Sequence, residues 1–133
     1  NILNILTMAV GALGGISLLV GGVGIVTIMT ISVTERTNEI GLLVALGARR
    51  RTILSLFLSE SVMLAALGGV LGLLLGIGLA QLLRLALPTL PVHTPWSFAV
   101  GALVISAIIG LLAGVLPARS ASHLDPIEAL RAE

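Results

Sequence analysis

From Asn1 to Thr34 the chain carries no charged side chain, and Ile5–Val33 is almost wholly apolar. As a helix rising about 1.5 Å per residue, that segment reaches roughly 43 Å, more than the ~30 Å hydrocarbon core of a bilayer. It has to tilt strongly or project beyond the membrane. Two further uncharged runs follow. Ser61–Leu83 lies between Glu60 and Arg84, and Ser97–Leu116 is closed by Pro117 and preceded by Trp96, a suitable interfacial anchor. Only 10% of the 133 residues are charged, against about a quarter in soluble domains. Mean hydropathy is +1.19. The expected fold class is therefore an all-α membrane protein with three transmembrane helices, spanning about 5–33, 61–83 and 97–116. The chain starts at Asn1 with neither a basic n-region nor a cleavage site, so we expect a C-terminal piece of a longer protein rather than a signal peptide.

The arginines set the orientation. Arg36, Arg49, Arg50 and Arg51 lie between the first two spans, and Arg119 and Arg131 follow the third. Only Arg84 lies in the loop 84–96, where Pro88, Pro91 and Pro95 make a turn. The positive-inside rule places the loop 34–51 and the tail 117–133 in the cytoplasm and the N-terminus outside. Small residues recur every four positions as Gly11/Gly15, Gly68/Gly72/Gly76 and Gly110/Gly114. In lipid such rows let helix backbones approach closely, and Gly68/Gly72/Gly76 forms one continuous groove for packing.

The cytoplasmic loop is the most informative stretch. Ile40, Leu43, Val44 and Gly47 fall on one side of a short helix, and Glu35, Glu39, Leu42 and Leu46 form a second row that begins acidic and ends apolar. Gly47 suits the C-terminal cap, and Arg49–Arg51 suit a helix C-terminus close to lipid phosphates. A helix apolar on two sides needs two things to bury against: the bundle is one, and anionic lipid or a partner protein is the other. Glu60, 23 uncharged residues before Arg84, sits at the inner boundary, where it snorkels or pairs with an arginine. In the tail, Asp125 caps a short helix that Pro126 opens, Glu128 completes a capping box, and Ile127 and Leu130 are free to dock.

Covalent chemistry finds no support in these residues. The chain has no cysteine, and without a single lysine there is no Walker A phosphate loop. His93 and His123 fall on opposite sides of the membrane and cannot share a metal. Ser17, Ser55, Ser59 and Ser61 read as helix serines bonded to their own backbone. A net charge of +1 gives no footprint for nucleic acid. No enzyme activity, cofactor or metal is expected on this chain.

The stretch ERTNEIGLLVALGARRRTILSLFLSESVMLAALGGVLGLLLGIG, Glu35 to Gly78, resembles the MacB/FtsX-type permease domain of ABC transporters. The tail from Pro117, PARSASHLDPIEALRAE, is similar to the C-terminal end of the same family. The resemblance covers nearly the whole chain and keeps the order span, E-R-x-x-E-I-G loop, G-G-x-x-G span, outer loop, span and P-A-R-x-A tail. It implies a multi-pass protein of the bacterial inner membrane that pairs with a second permease copy. A cytoplasmic ATP-binding cassette subunit or domain, holding ATP and magnesium, would drive it, with an envelope partner outside. Family members carry four spans, with a large extracytoplasmic domain after the first; this chain matches the last three. By the same resemblance Glu35–Gly47 is a coupling helix that contacts the ATPase through Glu35, Arg36, Glu39, Ile40, Gly41, Leu42, Leu46 and Gly47, while Ile5–Val33 extends into an outer stalk. The implied function is conversion of ATP hydrolysis into movement, for export or extraction, at the outer face. Two other readings stay open: an FtsX-like signalling module that regulates a cell-wall hydrolase without transport, and an ion-coupled transporter using Glu60.

Overall fold

The computed structural model describes residues 1–89, 93 and 95–131. Parts of the loop between the second and third long helices (90–92 and 94) and the last two tail positions lie outside the described residues. Three long helices dominate: α1 (Ile2–Glu35), α3 (Arg50–Ala86) and α4 (Trp96–Ser122). Two short ones, α2 (Thr37–Ala45) and α5 (Pro126–Arg131), sit at the end where the arginine-rich segments gather. All three long helices are long and apolar enough to cross a membrane, which gives the all-α architecture expected.

α1 is uninterrupted because its polar groups turn back on their own helix. The hydroxyls of Thr7, Ser17, Thr27, Thr30 and Thr34 donate to carbonyls four residues earlier at 2.7–2.9 Å. In a hydrocarbon medium such bonding removes the penalty of an unpaired polar group. Ser55, Ser59 and Ser61 do the same towards carbonyls three residues back.

α3 and α4 both overrun the spans read from the sequence. α3 begins at Arg50, eleven positions before Ser61, because its buried row starts early: Ile53 and Phe57 precede Ser61 and Ala65 at a spacing of four. Arg49 is thus the N-cap of α3 and Arg50 and Arg51 lie in its first turn. They follow the C-terminus of α2 in sequence but stand at the positive end of the α3 dipole, the opposite of the favourable placement expected. Nor does Pro117 end α4, which continues to Ser122. An internal proline removes one backbone hydrogen bond and costs about 3 kcal/mol in an ordinary helix. Here Pro117, Ala118, Ala121 and Ser122 are all buried against the neighbouring elements, and that packing holds the turn beyond the proline.

α4 lies at the centre. It packs along the length of α3 and against α1, while α1 and α3 scarcely touch. The α3–α4 contact is an antiparallel ladder of small residues, Ser61 opposite Gly114, Ala65 opposite Gly110 and Gly69 opposite Ser106. A Cβ on Gly110 would overlap the Ala65 methyl, and one on Gly114 would overlap the Ser61 side chain. The Ser106 hydroxyl donates to the Ala65 carbonyl at 2.8 Å, a hydrogen bond between the two helices. Towards α1 the approach is looser: a Cβ on Gly22 would lie 3.3 Å from Ile109 Cγ2.

Candidate coupling surface at the arginine-rich end of the bundle

The largest buried side chains gather at one end of the bundle. Met29 and Val33 of α1, Ile40 of α2, Ile53 and Phe57 of α3, and Ala118 and Ala121 of α4 form one cluster. Val44 and Leu124 pack on its edge. α2 is thus moored where the three long helices meet.

The chain breaks between α1 and α2 at Arg36, with φ −97° and ψ 15°. At the start of α2 the Thr37 hydroxyl donates to the carbonyls of Val33 and Thr34, at 3.1 and 2.8 Å, which ties the junction to the last turn of α1. Glu35 and Arg36 therefore belong to the end of α1 and the junction, and the short helix proper is narrower than the Glu35–Gly47 segment read from the sequence. Arg36 Nη1 lies 3.7 Å from Glu60 Oε1 on α3, with both side chains partly exposed. An ion pair so placed contributes about 0–1 kcal/mol. It does put Glu60 against an arginine at the bundle edge.

α2 ends in a Schellman motif. Gly47 takes φ +95°, its N–H donates to the Val44 carbonyl, and the Ala48 N–H donates to the Leu43 carbonyl, both at 3.0 Å. The left-handed conformation is why glycine stands there. Gly47 thereby sets the direction in which the chain leaves for α3.

Within α2 the two sides differ sharply. Ile40 and Gly41 are buried. Glu39 is exposed, as are Leu42 (54%) and Leu46 (78%). Glu39 also lies in the first turn of α2, where a carboxylate complements the helix dipole. Glu35, at the end of α1, is exposed too. Two leucines and a carboxylate thus stand outward from an element whose other side is fixed. The sequence row Ile40, Leu43, Val44 and Gly47 divides: Ile40 and Val44 turn inward, and Leu43 and Gly47 remain exposed.

Gly41 is buried for a reason the sequence did not disclose. A Cβ there would lie 2.6 Å from the Ala129 Cβ, so α5 sits directly on the α2 backbone. Asp125 caps α5 as expected, its Oδ1 accepting the Ile127 N–H at 3.0 Å. Docking, however, is by Ala129, 1% exposed, while Ile127 and Leu130 stay exposed.

The glycine rows separate as well. Gly110 and Gly114 lie inside the α3–α4 ladder, but Gly68, Gly72 and Gly76 meet nothing within 4 Å of a Cβ. They open onto a groove of about 640 Å³ shared with Gly21 and Gly22 of α1. Gly11 and Gly15 are equally open and line a second groove, about 970 Å³, between α1 and the N-terminal part of α4. The residues of α3 that do pack on α4, Ser61, Ala65 and Gly69, were not singled out from the sequence; their signal is the same four-residue spacing, one position along the helix. Among the described residues no three His, Cys, Asp or Glu side chains converge as a metal site would require.

Residues 11–126 match the family described as FtsX-like permease C-terminal. An uncharacterized ABC transporter permease of Bacillus subtilis, YknZ, is 49% identical over 129 residues, covering 97% of this chain and 32% of that protein. The macrolide export ATP-binding/permease protein MacB of Agrobacterium fabrum is 49% identical over 126 residues, or 94% of this chain and 19% of that protein. A second uncharacterized permease of B. subtilis, YvrN, is 49% identical over 126 residues, 95% of this chain and 31% of its own length. The chain thus spans between about a fifth and a third of these relatives. With a match that runs from α1 to the start of α5, it belongs to the FtsX-like permease family.

Proposed function

We propose that this chain is the part of a MacB/FtsX-type ABC transporter permease that receives the movement of a cytoplasmic ATPase and passes it to the membrane helices. One observation carries the reading: α2 exposes Glu39, Leu42 and Leu46 on one side while Ile40 and Gly41 on the other are buried. Surfaces of that kind transmit force, because the outer side can bind a partner while the inner side cannot yield without moving the bundle. Glu35 and Arg36 flank the contact, and Gly47 fixes its far end. ATP and magnesium belong to the partner, on a separate subunit or, as the relatives' ATP-binding/permease name suggests, on the same polypeptide.

The arginine distribution supports a multi-pass protein of the bacterial inner membrane, N-terminus outside and C-terminus in the cytoplasm. The open Gly68/Gly72/Gly76 groove suits packing against further helices, including those of a second permease copy. Export or extraction at the outer face, with an envelope partner, completes the proposal.

Glu39→Arg tests it. The substitution lies on an exposed position, so insertion and folding should be unchanged. Breaking a desolvated charged contact costs about 2–5 kcal/mol, so co-purification of the ATPase and permease-dependent stimulation of ATP hydrolysis should both fall. A charge reversal in the ATPase groove should restore them. If α2 instead lay on anionic lipid, the added arginine would tighten membrane binding and leave the ATPase contact alone. A Glu39→Arg protein that still binds and stimulates its ATPase would falsify the reading.

A further inference from the structure

α2 is joined to α1 through Arg36 alone and to α3 through residues 46–49. It touches α1 lightly, and its main packing partner is α5. α5 in turn is tied closely to α4. Only His123, Leu124 and Asp125 separate them. His123 Nδ1 lies 2.9 Å from the Arg119 carbonyl and 3.1 Å from the Ser122 hydroxyl. Leu124 packs on the inner cluster. Asp125 closes the start of α5 through its side chain, and its carbonyl accepts the Ala129 N–H at 2.9 Å. The α4–α5 corner is thus pinned at each of its residues. At the other end α5 sits on α2 through Ala129: its Cβ, carbonyl carbon and Cα lie 2.6, 3.6 and 3.7 Å from where a Gly41 Cβ would be.

We infer that α5 is a strut that carries the displacement of α2 to α4, with Gly41 and Ala129 as its positioning contact. The inference rests on α2 being the ATPase-contacting element. It adds a route that does not run along the covalent chain. α4 is the helix against which both other long helices pack, so a push delivered there reaches the whole bundle, beside the covalent link through Arg36 into α1 and the burial of Ile40 in the cluster where the long helices meet. The docking uses a small residue on a glycine, and such a contact leaves little slack: backbones that touch move together, while long side chains would absorb part of the motion by changing rotamer.

The contact allows a size-swap experiment in the intact permease with its ATPase in proteoliposomes. Gly41→Ala puts a methyl 2.6 Å from the Ala129 Cβ and should displace α5. Glu39, Leu42 and Leu46 remain, so the variant should still co-purify with the ATPase. Its stimulation of ATP hydrolysis should fall about tenfold, as expected for an overpacked contact. Ala129→Gly introduced alongside removes the clash and leaves the new methyl at 3.6 and 3.7 Å from backbone atoms, an ordinary contact, so the pair should recover to within about twofold. A second readout follows α4 itself. A cysteine at exposed Ser120, on this cysteine-free chain, should change its maleimide labelling rate when ATP is added. That response should vanish in Gly41→Ala and on deletion of residues 125–133, and return in the swapped pair. Were Gly41→Ala lost from the membrane, the pair and the deletion decide. An ATP response at Ser120 that survives the deletion, or a swapped pair that stays uncoupled, overturns the strut. Loss of the ATPase contact itself is read separately, by Glu39→Arg.

Discussion

Gly114→Ala tests the α3–α4 ladder by adding a single methyl. At that position the new carbon would overlap the Ser61 side chain, while the next neighbour, Leu58 Cδ2, lies 3.7 Å away. Ser61 has no room to turn aside, since it is fully buried and its hydroxyl is held by the Leu58 carbonyl at 2.8 Å. The helices must therefore part, loosening the neighbouring Ala65–Gly110 step as well. Overpacking of this kind costs about 1–3 kcal/mol, or about five- to 150-fold in a folding equilibrium. Reversible unfolding of the purified protein in mixed micelles should register a lower midpoint. Ser61→Gly in the same chain removes the obstructing atoms and leaves only the Leu58 contact at ordinary distance, so most of the loss should be recovered. Gly72→Ala is the control: nothing lies within 4 Å of its added Cβ, and the midpoint should hold. If Gly114→Ala were as stable as the parent, or Gly72→Ala equally damaging, the ladder would not be the contact that holds α3 to α4.

Two further outcomes follow from the same geometry. Gly72→Leu puts a branched side chain into the open groove, where a Cβ meets nothing within 4 Å, so it should leave insertion unchanged while weakening dimer crosslinking and transport; unaltered crosslinking would mean that the groove faces lipid. A cysteine in place of exposed Thr89 should react with impermeant maleimide in intact cells, whereas one in place of exposed Asn38 should be spared; the reverse pattern would invert the topology.

The spans were legible because uncharged runs of that length have few other physical solutions. The caps were legible for a local reason: Gly47 and Asp125 act on backbone groups within two or three residues of themselves, so the sequence holds all the parts. Helix ends set by distant contacts were harder. Arg50–Glu60 precedes the uncharged run of the second span and Pro117–Ser122 follows the proline that closes the third, and they are helical because Ile53, Phe57, Ala118 and Ala121 bury one another across the bundle. Which small-residue row packs is likewise a property of two helices. Gly68/Gly72/Gly76 and Ser61/Ala65/Gly69 have the same spacing on one helix, about 100° apart around its axis. Only laying α4 antiparallel, with Gly110, Gly114 and Ser106 opposite, selects the second. Gly41 was singled out by resemblance, and its physical role became visible only with Ala129 seated on it.

The hydroxyls of α1 and the Ser106 hydroxyl of α4 are used in opposite ways, and this divides the bundle mechanically. Thr7, Ser17, Thr27, Thr30 and Thr34 spend their hydrogen bonds inside α1, whereas Ser106 of α4 spends its own on α3. Sliding α1 lengthwise over α4 breaks none of those five bonds and rearranges only apolar contacts, which lipid tails replace at little loss. Sliding α3 over α4 tears out the Ser106 bond and drives the Ala65 methyl and the Ser61 side chain out of the spaces left by Gly110 and Gly114. Away from the buried Met29–Val33 end, the boundary between α1 and α4 should therefore resist sliding less than the hydrogen-bonded α3–α4 pair beside it.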